Sequence, residues 1–470
     1  MASPPYPAQE AIDPRIFRAY DIRGIAGKQI HEEACLRIGQ AFGSELIERY
    51  SIEHPTVAVG RDARLSSPKL EQATIQGLLT SGCNVRSIGA VPSPVNYFAV
   101  TSGKLDAGVH VTASHNPPQD NGLKLCTRNA EAFSGQNLQK LRERITTGDL
   151  LTGSGAMNDS AGAAEYIQNV QNLFQRIGKG LSIGVDAGNG IAGPINCTIF
   201  AAVGCNVTEL YTEPDGRFPN HPADPSKAST LRDLQQRVVE EELHVGFAFD
   251  GDGDRLGVVD ERGTVRSADE ILLLLAEDHL TRFLGAPIVF TVSNSGILGS
   301  EITAWGGRPV ICRVGHSFVE QAMHEHGALL GGEQSGHFFC AENYFPFDDA
   351  LVAALRILHI MQRKQQPLSA LFARYPRTHQ TPERRPTVPD EHKMRIVDAA
   401  MAHFKQKFPV ITLDGVRIEF GDGAWAIIRY SNTSPCLSIC MEARSPERLA
   451  EVEKVILEHL RTYPEISWEM

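Results

Sequence analysis

Short β-branched runs in this chain each lead into a polar, glycine-rich loop. Thr56-Val-Ala-Val-Gly60 precedes Arg61-Asp-Ala-Arg-Leu-Ser-Ser67, Leu181-Ser-Ile-Gly-Val185 precedes Asp186-Ala-Gly-Asn-Gly190, and Pro287-Ile-Val-Phe-Thr-Val292 precedes Ser293-Asn-Ser-Gly296. The runs recur at roughly 110 to 130 residues, about one domain each. The segments that follow are patterned as helices: Lys69 to Ser81 places Leu70, Ala73, Ile75 and Leu78 near one face. The repeating unit is therefore a strand, a loop and a helix, which predicts three similar α/β domains with mixed, mostly parallel sheets. The C-terminal part differs. Gly415 to Phe420 alternates with period two, turns through Gly421-Asp-Gly423 into Trp425 to Arg429, and a helix is expected to start near Ser445-Pro446-Glu447. This predicts an α+β fourth domain. Breaks at Gly153-Ser-Gly155, at Asp260 to Gly263 and in the Pro- and Arg-rich stretch Tyr375 to Pro389 divide the chain into 1–156, 157–262, 263–376 and 377–470.

A chain of 470 residues, 42% apolar, can bury several cores. Its net charge of −11 opposes tight binding to nucleic acid or an anionic membrane, so an anionic substrate has to meet a local basic cleft. The first residues lack a basic region followed by an apolar one, and the longest strongly apolar stretch, Ile271 to Ala276, is too short to span a bilayer. Nine scattered cysteines without CxxC spacing read as reduced thiols. A soluble cytoplasmic protein is expected, with no nucleic-acid, membrane or obligate protein partner.

Candidate chemistry sits in the loops. The strand Ala107 to Val111 ends at Thr112-Ala-Ser-His-Asn-Pro-Pro118, where Ser114 beside His115 can accept a phosphoryl group or simply cap a proline turn. Lys124 adds a cation and possible proton carrier ten residues on. In Phe249-Asp-Gly-Asp-Gly-Asp-Arg255, Asp250, Asp252 and Asp254 can converge on one hard cation, and magnesium suits such a site. An EF-hand is the competing metal reading. Glu261 stands at its twelfth position, but Arg255 occupies the sixth, where glycine is needed, and both flanks look like strands. A solvated turn is the bland alternative. Gly331-Gly-Glu-Gln-Ser-Gly-His337 offers Glu333, Ser335 and His337 to sugar hydroxyls, or is a structural glycine turn; His316, in Arg313-Val-Gly-His-Ser317, has a similar setting. Arg429-Tyr-Ser-Asn-Thr-Ser-Pro435 surrounds a turn with a guanidinium, hydroxyls and an amide, a set that suits a phosphate dianion.

Two motifs point elsewhere. Gly188-Asn-Gly-Ile-Ala-Gly193 follows a predicted strand, with Glu209 about twenty residues on, as in a dinucleotide-binding oxidoreductase. Against it stand its position deep in the chain and Pro194 directly after it. Gly180-Leu-Ser-Ile-Gly184 matches the hydrolase nucleophile pattern, but Ser182 enters a strand there. A non-catalytic phosphosugar sensor would need the phosphate-binding turn but neither Ser114 nor three carboxylates.

Taken together, FRAYDIRG at 17–24, TASHNP at 112–117, DGDGDR at 250–255, GGEQSGH at 331–337 and RYSNTSP at 429–435 resemble the α-D-phosphohexomutase family. SNT in the last loop, VGHS at 314–317 and Phe347-Asp-Asp349 are similar to its bacterial phosphomannomutase/phosphoglucomutase branch rather than to phosphoglucosamine mutase. The resemblance implies a heart-shaped, four-domain α/β enzyme that interconverts hexose 1- and 6-phosphates through a phosphoserine and a hexose 1,6-bisphosphate, which is both intermediate and activator. It implies that phosphorylated Ser114 with Asp250, Asp252 and Asp254 binds magnesium, and that Tyr20, Arg23, His115, Lys124 and Arg255 hold catalytic or cleft positions. It further implies that Glu333, Ser335 and His337 contact sugar, and that Arg429, Ser431, Asn432 and Thr433 clamp the distal phosphate. One departure concerns the sugar: Ser293 stands where the branch has a lysine, within an SNSG similar to the phosphoglucosamine mutase branch, which stays the alternative.

Overall fold

The computed structural model describes residues 12–160, 162–431 and 435–468. These residues form four sheets in two compact units. One unit runs to Arg266 and includes Gly336–Ser369; the other takes Ser267–Ser335 and the chain from Ala370 on.

In the first unit, Thr56–Arg61 lies between the parallel strands Asn84–Ala90 and Ala107–Val111. β-Branched residues such as Val57, Val59, Val109 and Val111 are fully buried there, as a central strand covered on both faces demands. The strand–loop–helix unit appears as expected in Thr56–Arg61 followed by Ser67–Ser81, and in Ser182–Asp186 followed by Gly193–Ala202. The loop after Ala107–Val111 does not lead into a helix. The chain returns as Asp120–Thr127, antiparallel to Ala107–Val111, and Ile22–Ile25 adds antiparallel beyond it. This hairpin sets Lys124 opposite His110 and so brings Lys124 back toward Ser114. A second hairpin, Val245–Phe249 into Leu256–Asp260, carries the Asp250 loop at its tip. The sheets are mixed because the two loops with the richest chemistry sit on antiparallel returns, which need only a short connection.

The Gly188-to-Gly193 turn explains the dinucleotide resemblance. Its glycines serve the protein's own backbone: a Cβ on Gly190 would lie 2.9 Å from the Asp250 carbonyl oxygen and 3.0 Å from Gly251 Cα, and the Ile191 N–H donates to the Gly251 carbonyl (3.1 Å). Ser182 opens a strand, so the hydrolase pattern is accidental.

In the second unit, Pro287–Thr291 pairs in parallel with Arg308–Cys312 and with Leu330–Gly332. The last sheet is antiparallel through Val416–Gly421, Ala424–Tyr430 and Leu437–Ala443, and the helix Pro446–Leu460 is capped by Ser445. Arg417 stacks 3.9 Å from the Trp425 ring centroid and donates to the carbonyls of Val292 and Asn294 (2.8 and 2.7 Å). Those bonds hold the backbone on either side of Ser293. All nine cysteines are buried and none forms a disulfide. Among the described residues, no helix is long and apolar enough to cross a membrane.

Gly190→Ala should push the turn off the Asp250 loop. Overpacking of this kind costs about 1–3 kcal/mol. Urea unfolding should show that loss, and calorimetric titration should show weaker divalent-metal binding by the same variant.

Candidate active site

Asp250 directly follows the fully buried strand Val245–Phe249, and the chain then winds around its carboxylate. Oδ1 accepts the backbone N–H groups of Gly253, Asp254 and Arg255 at 3.0 to 3.1 Å, which the left-handed Gly253 (φ 78°) permits. Oδ2 accepts the Ser114 hydroxyl at 2.6 Å. Asp252 Oδ2 accepts from Ser93 Oγ and from Lys124 Nζ, both at 2.7 Å, and Lys124 also binds Asp254 Oδ2. The three carboxylates are buried, with ligand atoms within 4.8 Å of one another. Oδ1 of Asp252 and of Asp254 has no hydrogen-bond partner among the described residues. Buried carboxylate oxygens left unsatisfied are costly, and a small hard cation that takes several carboxylates removes that cost, so this donor set fits magnesium.

Charge is divided unevenly here. Burial would raise the Asp252 carboxyl, but Lys124 overrides it and holds the group well below the usual carboxylate range. Burial, with Asp254 and Asp252 beside it, pushes Asp250 up. At Lys124, burial favours the neutral amine, yet Asp252 and Asp254 keep it protonated well above the ordinary lysine range.

Ser114 is buried in the left-handed region (φ 51°), a costly place for a residue with a Cβ. Its one hydroxyl proton goes to Asp250, so the 3.1 Å contact with His115 Nδ1 is one in which the ring donates. Burial, then the Arg255 and Arg23 charges, hold the His115 imidazole neutral, well below its ordinary range. Arg23 is aimed by Asp21 (2.6 Å) and reaches the serine loop at Asn116 Oδ1 (3.1 Å). Tyr20 is half-buried in the same unit.

Arg255 pairs backbone to backbone with His337 and donates from Nε to His337 Nε2 at 3.1 Å. With that nitrogen accepting, His337 Nδ1 carries the proton and faces Asp348 Oδ2 at 2.7 Å. This first unit thus brings together Arg23, Ser114, His115, Lys124, the three aspartates, Arg255 and His337. The sequence pattern missed Asp62, Arg64 and Ser93, since Arg61-to-Ser67 read as a plain loop and nothing local marks Ser93 as a partner for Asp252; Asp348 entered it only within the branch marker Phe347-Asp-Asp349 and not as a partner of His337.

In the second unit, Glu333 is buried and bridges two chain segments. It accepts the Gly315 N–H (3.0 Å) and the Ser335 hydroxyl (2.8 Å). Gly315, at φ 135°, starts the helix that opens with the half-buried His316. Arg429 lies 3.9 Å from Asp414, and its buried Nε has no hydrogen-bond partner among the described residues. Ser431 accepts from Arg385 (3.2 Å). Asn432 and Thr433 lie outside the described residues.

Family models for phosphoglucomutase/phosphomannomutase match four stretches: α/β/α domain I over 14–152, domain II over 164–263, domain III over 267–378 and the C-terminal domain over 385–459. A phosphomannomutase/phosphoglucomutase of Pseudomonas aeruginosa is 41% identical over 95% of both chains. A phosphoglucomutase of Neisseria gonorrhoeae is 36% identical over 97% of this chain and 98% of its own. The crystal structure of a phosphoglucomutase/phosphomannomutase family protein from Burkholderia thailandensis matches 98% of this chain and all of its own, with 37% identity and a TM-score of 0.91.

Asp252→Asn should weaken binding of magnesium, measured calorimetrically, by more than the roughly 10- to 100-fold typical when an outer-shell partner of a metal site is lost. Unchanged affinity would remove Asp252 from the metal site.

Proposed function

The chain belongs to the phosphoglucomutase/phosphomannomutase family, and on that premise we propose that it interconverts hexose 1-phosphates and hexose 6-phosphates through a phosphorylated Ser114. The observation that carries this reading is the Ser114 hydroxyl hydrogen-bonded to Asp250 within a buried cluster of three carboxylates and Lys124.

In the forward half-reaction a sugar hydroxyl attacks the phosphoserine phosphorus. The bond to Ser114 Oγ breaks, a bond to the sugar oxygen forms, and the sugar proton leaves to the neutral His115 imidazole, whose Nδ1 N–H faces the departing Ser114 Oγ and returns a proton to it. The product, a hexose 1,6-bisphosphate, turns over and returns its other phosphoryl group to Ser114. Lys124, Arg23 and Arg255 supply positive charge around the transferred group. Magnesium held by Asp250, Asp252, Asp254 and the phosphoserine would polarise the phosphoryl oxygens as a Lewis acid. Tyr20, His316, Glu333, Ser335 and His337 are assigned to the sugar, and Arg429, Ser431, Asn432 and Thr433 to the phosphate that is not being transferred. The relatives' names favour mannose and glucose phosphates over glucosamine phosphate. Nine buried cysteines outside any disulfide go with a cytoplasmic location.

Wild-type protein should convert glucose and mannose 1-phosphates faster than glucosamine 1-phosphate in one coupled assay. Ser114→Ala should lose several powers of ten in turnover, and intact mass should lack the phosphoryl group carried by the wild type. Near-normal turnover in this variant would end the phosphoserine reading.

Arg429→Ala should raise KM roughly 10- to 100-fold for 1- and 6-phosphate substrates alike, the size of a lost charge-assisted contact. Arg429→Lys should rescue it only in part. Steady-state kinetics in both directions checks this, and an unchanged KM would free Arg429 from the clamp.

A further inference from the structure

We infer that Asp62 and Arg64, from the Arg61-to-Ser67 loop, are positioning residues that lock the strained backbone of Ser114 in the geometry needed for phosphoryl transfer. The inference rests on Ser114 being the phosphoryl carrier.

The side chains of Arg64 and Asp62 are 0% and 1% exposed. All five N–H groups of the Arg64 guanidinium are used. Nη2 donates to the carbonyls of Ser114 and Asn116 (both 2.7 Å), and Nη1 to those of Pro117 (2.6 Å) and Asp120 (3.0 Å). Nε donates to Asp62 Oδ2 at 3.0 Å. The same Asp62 oxygen accepts the Thr112 hydroxyl (2.8 Å), and Thr112 Oγ1 accepts the Ser114 N–H (2.8 Å). Ser114 is therefore held at both of its peptide groups, at N–H through Thr112 and at C=O by Arg64, and both paths end on Asp62. Asp62 is itself fixed through Oδ1 by the Arg64 N–H (3.0 Å) and Ser67 Oγ (2.6 Å).

The geometry needs such a device. A serine at φ 51° persists only where its surroundings overdetermine it, and the Asp250 loop lies close against it, since a Cβ on Gly251 would stand 2.5 Å from the Ser114 carbonyl oxygen. The Phe218 ring, 5.2 Å from the guanidinium carbon, covers Arg64 from the side of the second sheet's domain. Arg64 touches neither the Ser114 hydroxyl nor the carboxylates, so it acts through the backbone that aims them. A lysine keeps the charge, but its compact ammonium cannot span four carbonyls.

The test is single-turnover phosphorylation of dephosphorylated protein by glucose 1,6-bisphosphate with magnesium, followed by intact mass. In it the bond from phosphorus to a sugar oxygen breaks, the bond to Ser114 Oγ forms, and the serine proton ends on the departing sugar oxygen. Arg64→Lys should fold, as judged by circular dichroism, yet phosphorylate roughly 10- to 100-fold more slowly at saturating bisphosphate, with the half-saturating concentration within about twofold of wild type. Thr112→Val, which removes the hydroxyl that joins Asp62 to the Ser114 N–H and leaves the Arg64 bonds in place, should slow the same step roughly tenfold and decides the matter if Arg64→Lys fails to fold. The double variant should lose less than the product of the single effects, since both act on one backbone. Phosphorylation within twofold of wild type in a folded variant overturns this inference alone, as does half-saturation that rises in step with the lost rate. A wild-type protein that takes up no phosphoryl group overturns the phosphoserine reading and this inference with it.

Discussion

Three carboxylates buried with ligand atoms within 4.8 Å of one another repel strongly where water cannot screen them, and the surrounding structure answers that repulsion. Asp250 is neutralised by geometry, with three backbone N–H groups on one oxygen and the Ser114 hydroxyl on the other. Asp252 and Asp254 share Lys124. Lys124 can do this only because Asp120–Thr127 returns antiparallel to Ala107–Val111 and sets it opposite His110. The same hairpin carries Ser114 at its turn. One strand pairing thus supplies both the candidate nucleophile and the cation beside it.

The serine pays in backbone strain for its place in that hairpin. The compensation is a dense polar interior of a kind that seldom forms unless every donor finds an acceptor. Arg64 meets that condition with five of five N–H groups bonded, and its charge is matched by a buried Asp62 two residues away. On the other side, His337 is aligned by Arg255 at one nitrogen and Asp348 at the other. Both arrangements fix an orientation rather than add a reactive group.

What the sequence shows of this and what it hides follow from the range of each interaction. Strands such as Ala107–Val111 and Thr56–Arg61 are legible because β-branched runs are local signals, and the Asp250 loop is legible because three aspartates and two glycines stand side by side. The return strand Asp120–Thr127 is obscured by Lys124, a charge in what would otherwise read as a buried run. Arg64 bonds to carbonyls 50 to 56 residues away, and Ser93 to a carboxylate 159 residues away. No window along the chain contains both ends of such a bond. A buried arginine and an exposed one are written with the same letter, and only the fold separates them.

The Gly188-to-Gly193 turn shows the same limit from the opposite side. A glycine fingerprint after a strand states that another group comes close to the backbone, and it does not say what that group is. In a dinucleotide-binding domain the approaching group is a pyrophosphate. Here it is the carbonyl side of the Asp250 loop, so the bare turn lets that loop lie close against Ser114. A side chain at Gly190 or Gly251 would widen that contact by the thickness of a methyl group, and the hydrogen bond between Ser114 and Asp250 has no such slack at 2.6 Å. These two glycines therefore set how closely the Asp250 loop approaches Ser114.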